Sequence, residues 1–222
     1  MVKLFNRKQM TELIKMISVI DYGAGNIRSV YKALKHIGCD CVITRDKDEI
    51  MNADGAVLPG VGSFGDTMDT MKSYGIKDTV IEYINSGKPF LGICLGLQLL
   101  FPESEESPNV KGLSVFDGTI TKIPSGEGLK IPHIGWNSLK INKKSRLFKG
   151  VEQNAYVYFV HSYFLNASDR SIVSAQTEYG VTIDAAVEKG NVFATQFHPE
   201  KSGETGLKIL RNFADIVKGR EE

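Results

Sequence analysis

The chain has 222 residues, 42% hydrophobic and 24% charged, a balance that belongs to a globular protein with a core and excludes a disordered tail. With 27 Lys and Arg against 26 Asp and Glu the net charge is +1, so nothing in the overall balance recruits nucleic acid or an anionic membrane. At roughly 150 residues per domain the length admits one large domain or two small ones but not two full catalytic domains, so any two-step chemistry calls for a partner.

The opening segment, residues 1–15, carries scattered charges and no continuous apolar run, unlike a secretory signal. No stretch reaches the roughly 18 apolar residues of a membrane span. Three cysteines without zinc-type spacing suit a reducing cytosol, with no disulfide and no metal expected. The first half then alternates strand and helix signals. Residues 16–21 are a short apolar run. Ile27, Val30, Tyr31, Leu34 and Ile37 recur at helical spacing and stop at Gly38, a C-terminal cap. Residues 39–44 and 55–59 predict two further strands, and after Ser63 the residues Met68, Met71, Ile76, Val80, Ile81 and Ile84 recur in broken helical order, ending at Gly87. A fourth, buried strand covers 89–93, and a helical run follows over 95–101. Such repeated units favour a mostly parallel sheet with helices on both faces, whose active sites lie at the carboxyl ends of strands. The second half is strand-rich, with runs over 112–123, 129–141, 155–165, 172–177, 182–187 and 192–197. Leu207, Leu210, Phe213, Ala214 and Val217 close the chain at helical spacing.

The sharpest local signal is Gly92-Ile93-Cys94-Leu95-Gly96, between a strand and a helical run. A nucleophile on a tight strand-to-helix turn needs small neighbours, because its backbone is strained and the two elements approach closely. A helix start also favours thiolate, where an unperturbed thiol is only about 3% ionised at neutral pH. The bland alternative is a buried structural cysteine. A cysteine nucleophile needs a base, and the chain offers His36, His133, His161 and His198. In Gln196-Phe197-His198-Pro199-Glu200 the histidine and the acid are two apart. If that segment is extended, their side chains leave on one side, and Glu200 can orient the imidazole. The glycines between Leu58 and Gly65 make a loop that is an oxyanion hole, a phosphate nest or a plain turn. Asp21-Tyr22-Gly23-Ala24-Gly25-Asn26 starts like a dinucleotide fingerprint but has Arg28 where the third glycine belongs. No nicotinamide, flavin or other cofactor is expected.

Together VIDYGAGN, LPGVGSFGD, GKPFLGICLGLQLLF, PHIGWN, YFVHSYF and TQFHPEKSG, spread over residues 17–217, resemble the class I glutamine amidotransferases with a Cys-His-Glu triad. Within them they resemble the glutaminase subunits of imidazole glycerol phosphate synthases. GxCxG with HPE is generic to the class; PGVGSFGD, PHIGWN and FVHSYF narrow it. The resemblance implies a flavodoxin-like α/β fold in one domain, residues 16–222, behind an N-terminal extension of residues 1–15. It makes Cys94 the nucleophile, His198 the general acid/base and Glu200 its orienter. The amides of Leu95 and Val61 become oxyanion donors, the second after a peptide reorientation. It places Gly62, Gln98, Glu106, Ser162 and Tyr163 on substrate glutamine, and Trp136, Tyr158 and Lys201 at the interface with a synthase subunit. The implied activity is hydrolysis of glutamine through a thioester. Its ammonia would pass to a β/α-barrel cyclase, in a cytoplasmic heterodimer serving histidine biosynthesis. Pro102 departs from the family, which more often has an acid there, and bears on the placement of Glu106. The rival readings are a stand-alone cysteine hydrolase, a non-catalytic glutamine sensor, and the same chemistry feeding a sugar-modifying synthase.

Overall fold

The computed structural model describes residues 15–23, 26–126, 128–142 and 144–220. The expected N-terminal extension, apart from Lys15, lies outside them. The first half comprises β1 (Met16–Ile20), α1 (Ile27–His36), β2 (Asp40–Thr44), α2 (Lys47–Asn52), β3 (Gly55–Gly60), α3 (Phe64–Ser73), α4 (Ile76–Asn85), β4 (Phe90–Cys94) and α5 (Leu95–Gln98). The second half comprises β5 (Glu103–Ser104), β6 (Gly118–Lys122), β7 (His133–Ser138), β8 (Lys140–Ile141), β9 (Tyr156–His161), β10 (Tyr163–Ala167), β11 (Val173–Glu178), β12 (Thr182–Lys189), β13 (Val192–Thr195) and α6 (Gly203–Lys218).

Eight strands form the central sheet in the order β2-β1-β3-β4-β13-β12-β11-β8. Neighbours are parallel from β2 to β13 and antiparallel beyond it. Every residue of β3 and β4 is buried, as parallel strands covered on both faces must be. Their side chains alternate between two apolar clusters. Leu91 and Ile93 join residues of α1 and α6 on one face, and Phe90, Ala56 and Leu58 join residues of α3 and α4 on the other. The mostly parallel, two-faced α/β sheet expected from the sequence is therefore the fold. Two small sheets, β10-β6-β5 and the antiparallel pair β7-β9, complete it.

Several elements differ from their sequence reading. The helix expected between Ser63 and Gly87 is two helices, because Gly75 turns left-handed (φ +69°) between them. The run expected over 95–101 holds only the single turn of α5, since Gly112 packs its Cα against the Leu99 and Phe101 carbonyls. The strand expected over 155–165 breaks at Ser162 into β9 and β10, which join different sheets. Helix α2, whose start is capped by Asp46 accepting the Glu49 N–H, is an addition. Among the described residues no helix is long and apolar enough to cross a membrane.

Candidate active site

Cys94 ends β4 and starts α5 with φ +55° and ψ −107°, a conformation costly to any residue with a side chain and found where a sharp turn must present one. Glycines make the turn possible. A Cβ on Gly96 would lie 2.0 Å from the Leu58 carbonyl oxygen, and one on Gly92 2.6 Å from that of Gly96. Strands β3 and β4 and the turn of α5 thus meet backbone to backbone, with the Leu95 amide immediately after Cys94.

β13 lies beside β4, with Thr195 opposite Ile93, so the residues that leave its carboxyl end pass Cys94. Gln196 donates from Nε2 to Cys94 Sγ at 3.7 Å. His198, 1% exposed, sets Nδ1 2.8 Å from Glu200 Oε1. The extended segment expected here is not what joins them: Pro199–Lys201 is a 3-10 turn, which proline initiates readily, and the turn carries Glu200 back onto the ring. The backbone is tied on both sides. The His198 N–H donates to the Tyr158 carbonyl at 3.0 Å. Ser202 Oγ donates to the His198 carbonyl at 2.6 Å and accepts the Tyr158 N–H at 2.9 Å. Burial alone would push His198 down; Cys94 and Glu200 outweigh it and raise it to about 9. The buried Nε2 of His198, the nitrogen not engaged by Glu200, has no hydrogen-bond partner among the described residues, nor has Glu200 Oε2.

Three further residues complete this cluster without having been singled out from the sequence. Asn26, left-handed at φ +71°, donates to Glu200 Oε1. Gln196 holds the thiol, as above. Tyr22, fully buried, brings its hydroxyl to Gly60, where an added Cβ would meet it at 2.9 Å. Asn26 and Tyr22 lie in DYGAGN, whose position after β1 was the available signal. Gln196 lies two residues before His198 in the motif that ends β13.

After β3 the glycine-rich loop runs past the elbow. Val61 is partly exposed and Gly62 takes φ +109°, and Ser63 caps α3 by accepting the Asp66 N–H. Glu106 Oε2 accepts the Phe64 N–H at 2.7 Å, which ties the Glu106 segment to this loop despite Pro102. Gln98 donates to the Tyr163 carbonyl and to Gln196 Oε1, each at 3.0 Å. Ser162 and Tyr163, partly buried, mark the break between β9 and β10. Trp136 and Tyr158 stack edge to face at 6.1 Å across the β7-β9 ladder, and Lys201 is exposed on the turn after His198.

The pattern described as glutamine amidotransferase class-I matches residues 18–217. The chain belongs to the class I glutamine amidotransferases. It is 52% identical over 203 residues to the imidazole glycerol phosphate synthase subunit HisH of Caldanaerobacter subterraneus subsp. tengcongensis, covering 91% of this chain and 99% of that one. It is 51% identical to the HisH of Methanothermobacter thermautotrophicus, covering 91% and 100%. Among solved structures, PurLQS from Thermotoga maritima, 22% identical, superposes with a TM-score of 0.72 over 92% of this chain and 100% of that one. That likeness shows the shared fold alone. Among the described residues of this amidotransferase no three His, Cys, Asp or Glu side chains gather as a metal site would require.

Proposed function

We propose that this amidotransferase is the glutaminase subunit of an imidazole glycerol phosphate synthase, and that Cys94, His198 and Glu200 carry its chemistry. The observation that supports this most directly is the buried cysteine elbow at the end of β4 with, beyond the end of the neighbouring β13, a buried histidine whose Nδ1 lies 2.8 Å from a carboxylate oxygen. Cys94 sulfur attacks the side-chain carbonyl carbon of glutamine, and the Leu95 and Val61 amides receive the developing oxyanion. As the carbon–nitrogen bond breaks, His198 gives its proton to the departing ammonia, leaving a glutamyl thioester. Water, deprotonated by His198, then attacks the thioester; glutamate leaves and the thiol is restored. The sum is glutamine and water to glutamate and ammonia. Glu200 orients the imidazole, and Asn26 in turn fixes Glu200. Gly62, Gln98, Ser162 and Tyr163 surround the substrate, with the Glu106 carboxylate suited to its ammonium.

Ammonia is mostly protonated in neutral water, so a receiving protein has to take it directly. The names of the relatives indicate a synthase, in our reading a β/α-barrel cyclase bound over Trp136, Tyr158 and Lys201 in a cytoplasmic heterodimer. The decisive experiment is Cys94→Ala. Glutamine hydrolysis should vanish while the assembled complex still uses ammonium salts; more than a trace of glutaminase activity would exclude the thioester route.

A further inference from the structure

Two histidines outside the triad face each other across the β7-β9 ladder. His133 and His161, 2% and 5% exposed, bring Nδ1 of the first to 3.1 Å from Nε2 of the second. The groups at the ends of the pair assign its protons. His161 Nδ1 lies 2.9 Å from the Tyr163 carbonyl oxygen, which only accepts, so Nδ1 carries the proton. His161 Nε2 therefore accepts, and His133 Nδ1 is the donor. His133 Nε2 is left as an acceptor, with the Asn137 amide nitrogen at 3.5 Å. That amide is itself oriented, since it donates to the Glu178 carbonyl at 2.9 Å while its oxygen accepts the Ser138 N–H at 2.8 Å. The His133 ring is stacked between Tyr179 and Phe159, with centroids 3.8 and 4.8 Å away, which holds its plane.

At the inner end the Tyr163 carbonyl also accepts from Gln98. Gln98 sends its other proton to Gln196 Oε1, and Gln196 donates to Cys94. Polar contacts therefore run unbroken from Asn137 on β7 to the nucleophile. Burial pushes His133 down to about 4, and burial with the neighbouring His133 pushes His161 to about 3. Both rings are neutral at pH 7, as the chain of donors and acceptors requires.

We propose that His133 and His161 are positioning residues: one fixed pair of neutral tautomers sets the Tyr163 carbonyl, and through it the Gln98 and Gln196 amides, against Cys94. The consequence for turnover rests on the glutaminase reading; the bridge itself does not. Because Ile134 and Trp136 alternate with His133 and Asn137 on β7, a protein docked on the outer side of that strand bears on the outer end of the same bridge.

Two measurements on the full chain test this. In the 15N-histidine-labelled protein at pH 7, two-bond nitrogen–proton correlations should report the Nδ1–H tautomer for both rings; an Nε2–H tautomer or an imidazolium at either position overturns the bridge. His133→Phe keeps the ring stack and deletes both hydrogen bonds. If Gln196 is held through the bridge, the Cys94 sulfur loses part of its hydrogen bond from Gln196. Its alkylation by iodoacetamide at pH 7, located by mass spectrometry, should then slow by about threefold or more, the worth of one hydrogen bond. Burial pushes up the Cys39 thiol, and that of Cys41 to about 11, so both react slowly and do not mask the signal. An unchanged or faster rate, as mere loosening gives, overturns the coupling. Should the variant fail to fold, the tautomers of the unaltered chain still decide the bridge. Absence of glutamine turnover in that chain would refute the enzymatic reading and leave both readouts valid.

Discussion

His198 is held between two groups that favour its proton, and the margin has a measurable edge. Its value near 9 lies above the ordinary histidine value of about 6.5. The stabilisation from charging it in the folded state is therefore complete below about 6.5 and is lost as pH rises through about 9. In the proposed reaction the same proton passes to the departing ammonia, so kcat/KM for glutamine should fall on an alkaline limb near 9. Glu200→Gln removes the carboxylate's share of the support and should move that limb to lower pH. It should also slow the reaction by roughly tenfold, less than loss of Cys94, because an orienting group costs position rather than the bond-forming atom. A pH–rate profile of the variant with its limb still near 9 would assign the raised value to Cys94 alone.

Between elements, the site depends on places where backbones touch. Gly206 in α6 packs its Cα on the turn that follows His198, and a Cβ there would lie 1.9 Å from the Pro199 carbonyl oxygen and 2.8 Å from Ser202 Cβ. No flexible side-chain end can yield, so in Gly206→Ala the turn itself must move. Overpacking of this kind costs roughly 1–3 kcal/mol, a fall in Tm of about 2–12 °C for a chain of this length. The turn carries both His198 and Glu200, so glutaminase activity at a temperature where the variant is fully folded should still fall by about tenfold or more. Calorimetry beside the assay separates the two effects, and full activity in a destabilised protein would show that the turn absorbs the strain elsewhere. The sequence marked the strands and the glycines of the elbow well, because covered parallel strands are continuous apolar runs and a nucleophile turn needs small residues at fixed offsets. It marked joints poorly. Gly75 reads as one more residue in a helical pattern until its φ is known, and α2 is too short for periodicity, although Asp46 with Glu49 was a capping signal in plain view. His198 and Glu200 were paired for the wrong reason: two residues apart meets the spacing of a strand, but Pro199 starts a turn. Asn26 and Gln196 lie inside motifs the sequence marks, DYGAGN and the run that ends β13, but their roles do not show there because each acts on a partner more than a hundred residues away.

Over the whole molecule, the outer face of β7 and β9 is the conspicuous feature. Ile134, Trp136 and Tyr156 are 59%, 55% and 60% exposed, and the register sets Trp136 opposite Tyr158 and Ser138 opposite Tyr156 on one surface. Apolar side chains clustered on an exposed ladder indicate a docking surface. Its inner face is bound into the site through His133, His161 and the Tyr158 carbonyl that holds the His198 N–H. A partner seated there is therefore in contact with the scaffold of the proposed triad. In the proposed mechanism the glycine loop is the other half of the control. Gly62 is already at φ +109° with open space about it, so the Val61 peptide beside it can turn with little steric cost. An oxyanion donor supplied only on docking is worth roughly 10² to 10³ in kcat. The isolated chain should accordingly hydrolyse glutamine slowly, and the synthase subunit with its ribotide ligand should raise the rate by at least about 10². Trp136→Ala should weaken the complex by about 30-fold or more, the cost of a central aromatic anchor, and shift the activation to higher partner concentration without lowering its plateau. Steady-state rates of the free chain, the complex and the liganded complex, titrated with the partner, decide both points. Equal rates in all three would leave the loop without a regulatory role, and an unshifted titration for Trp136→Ala would place the partner on another face.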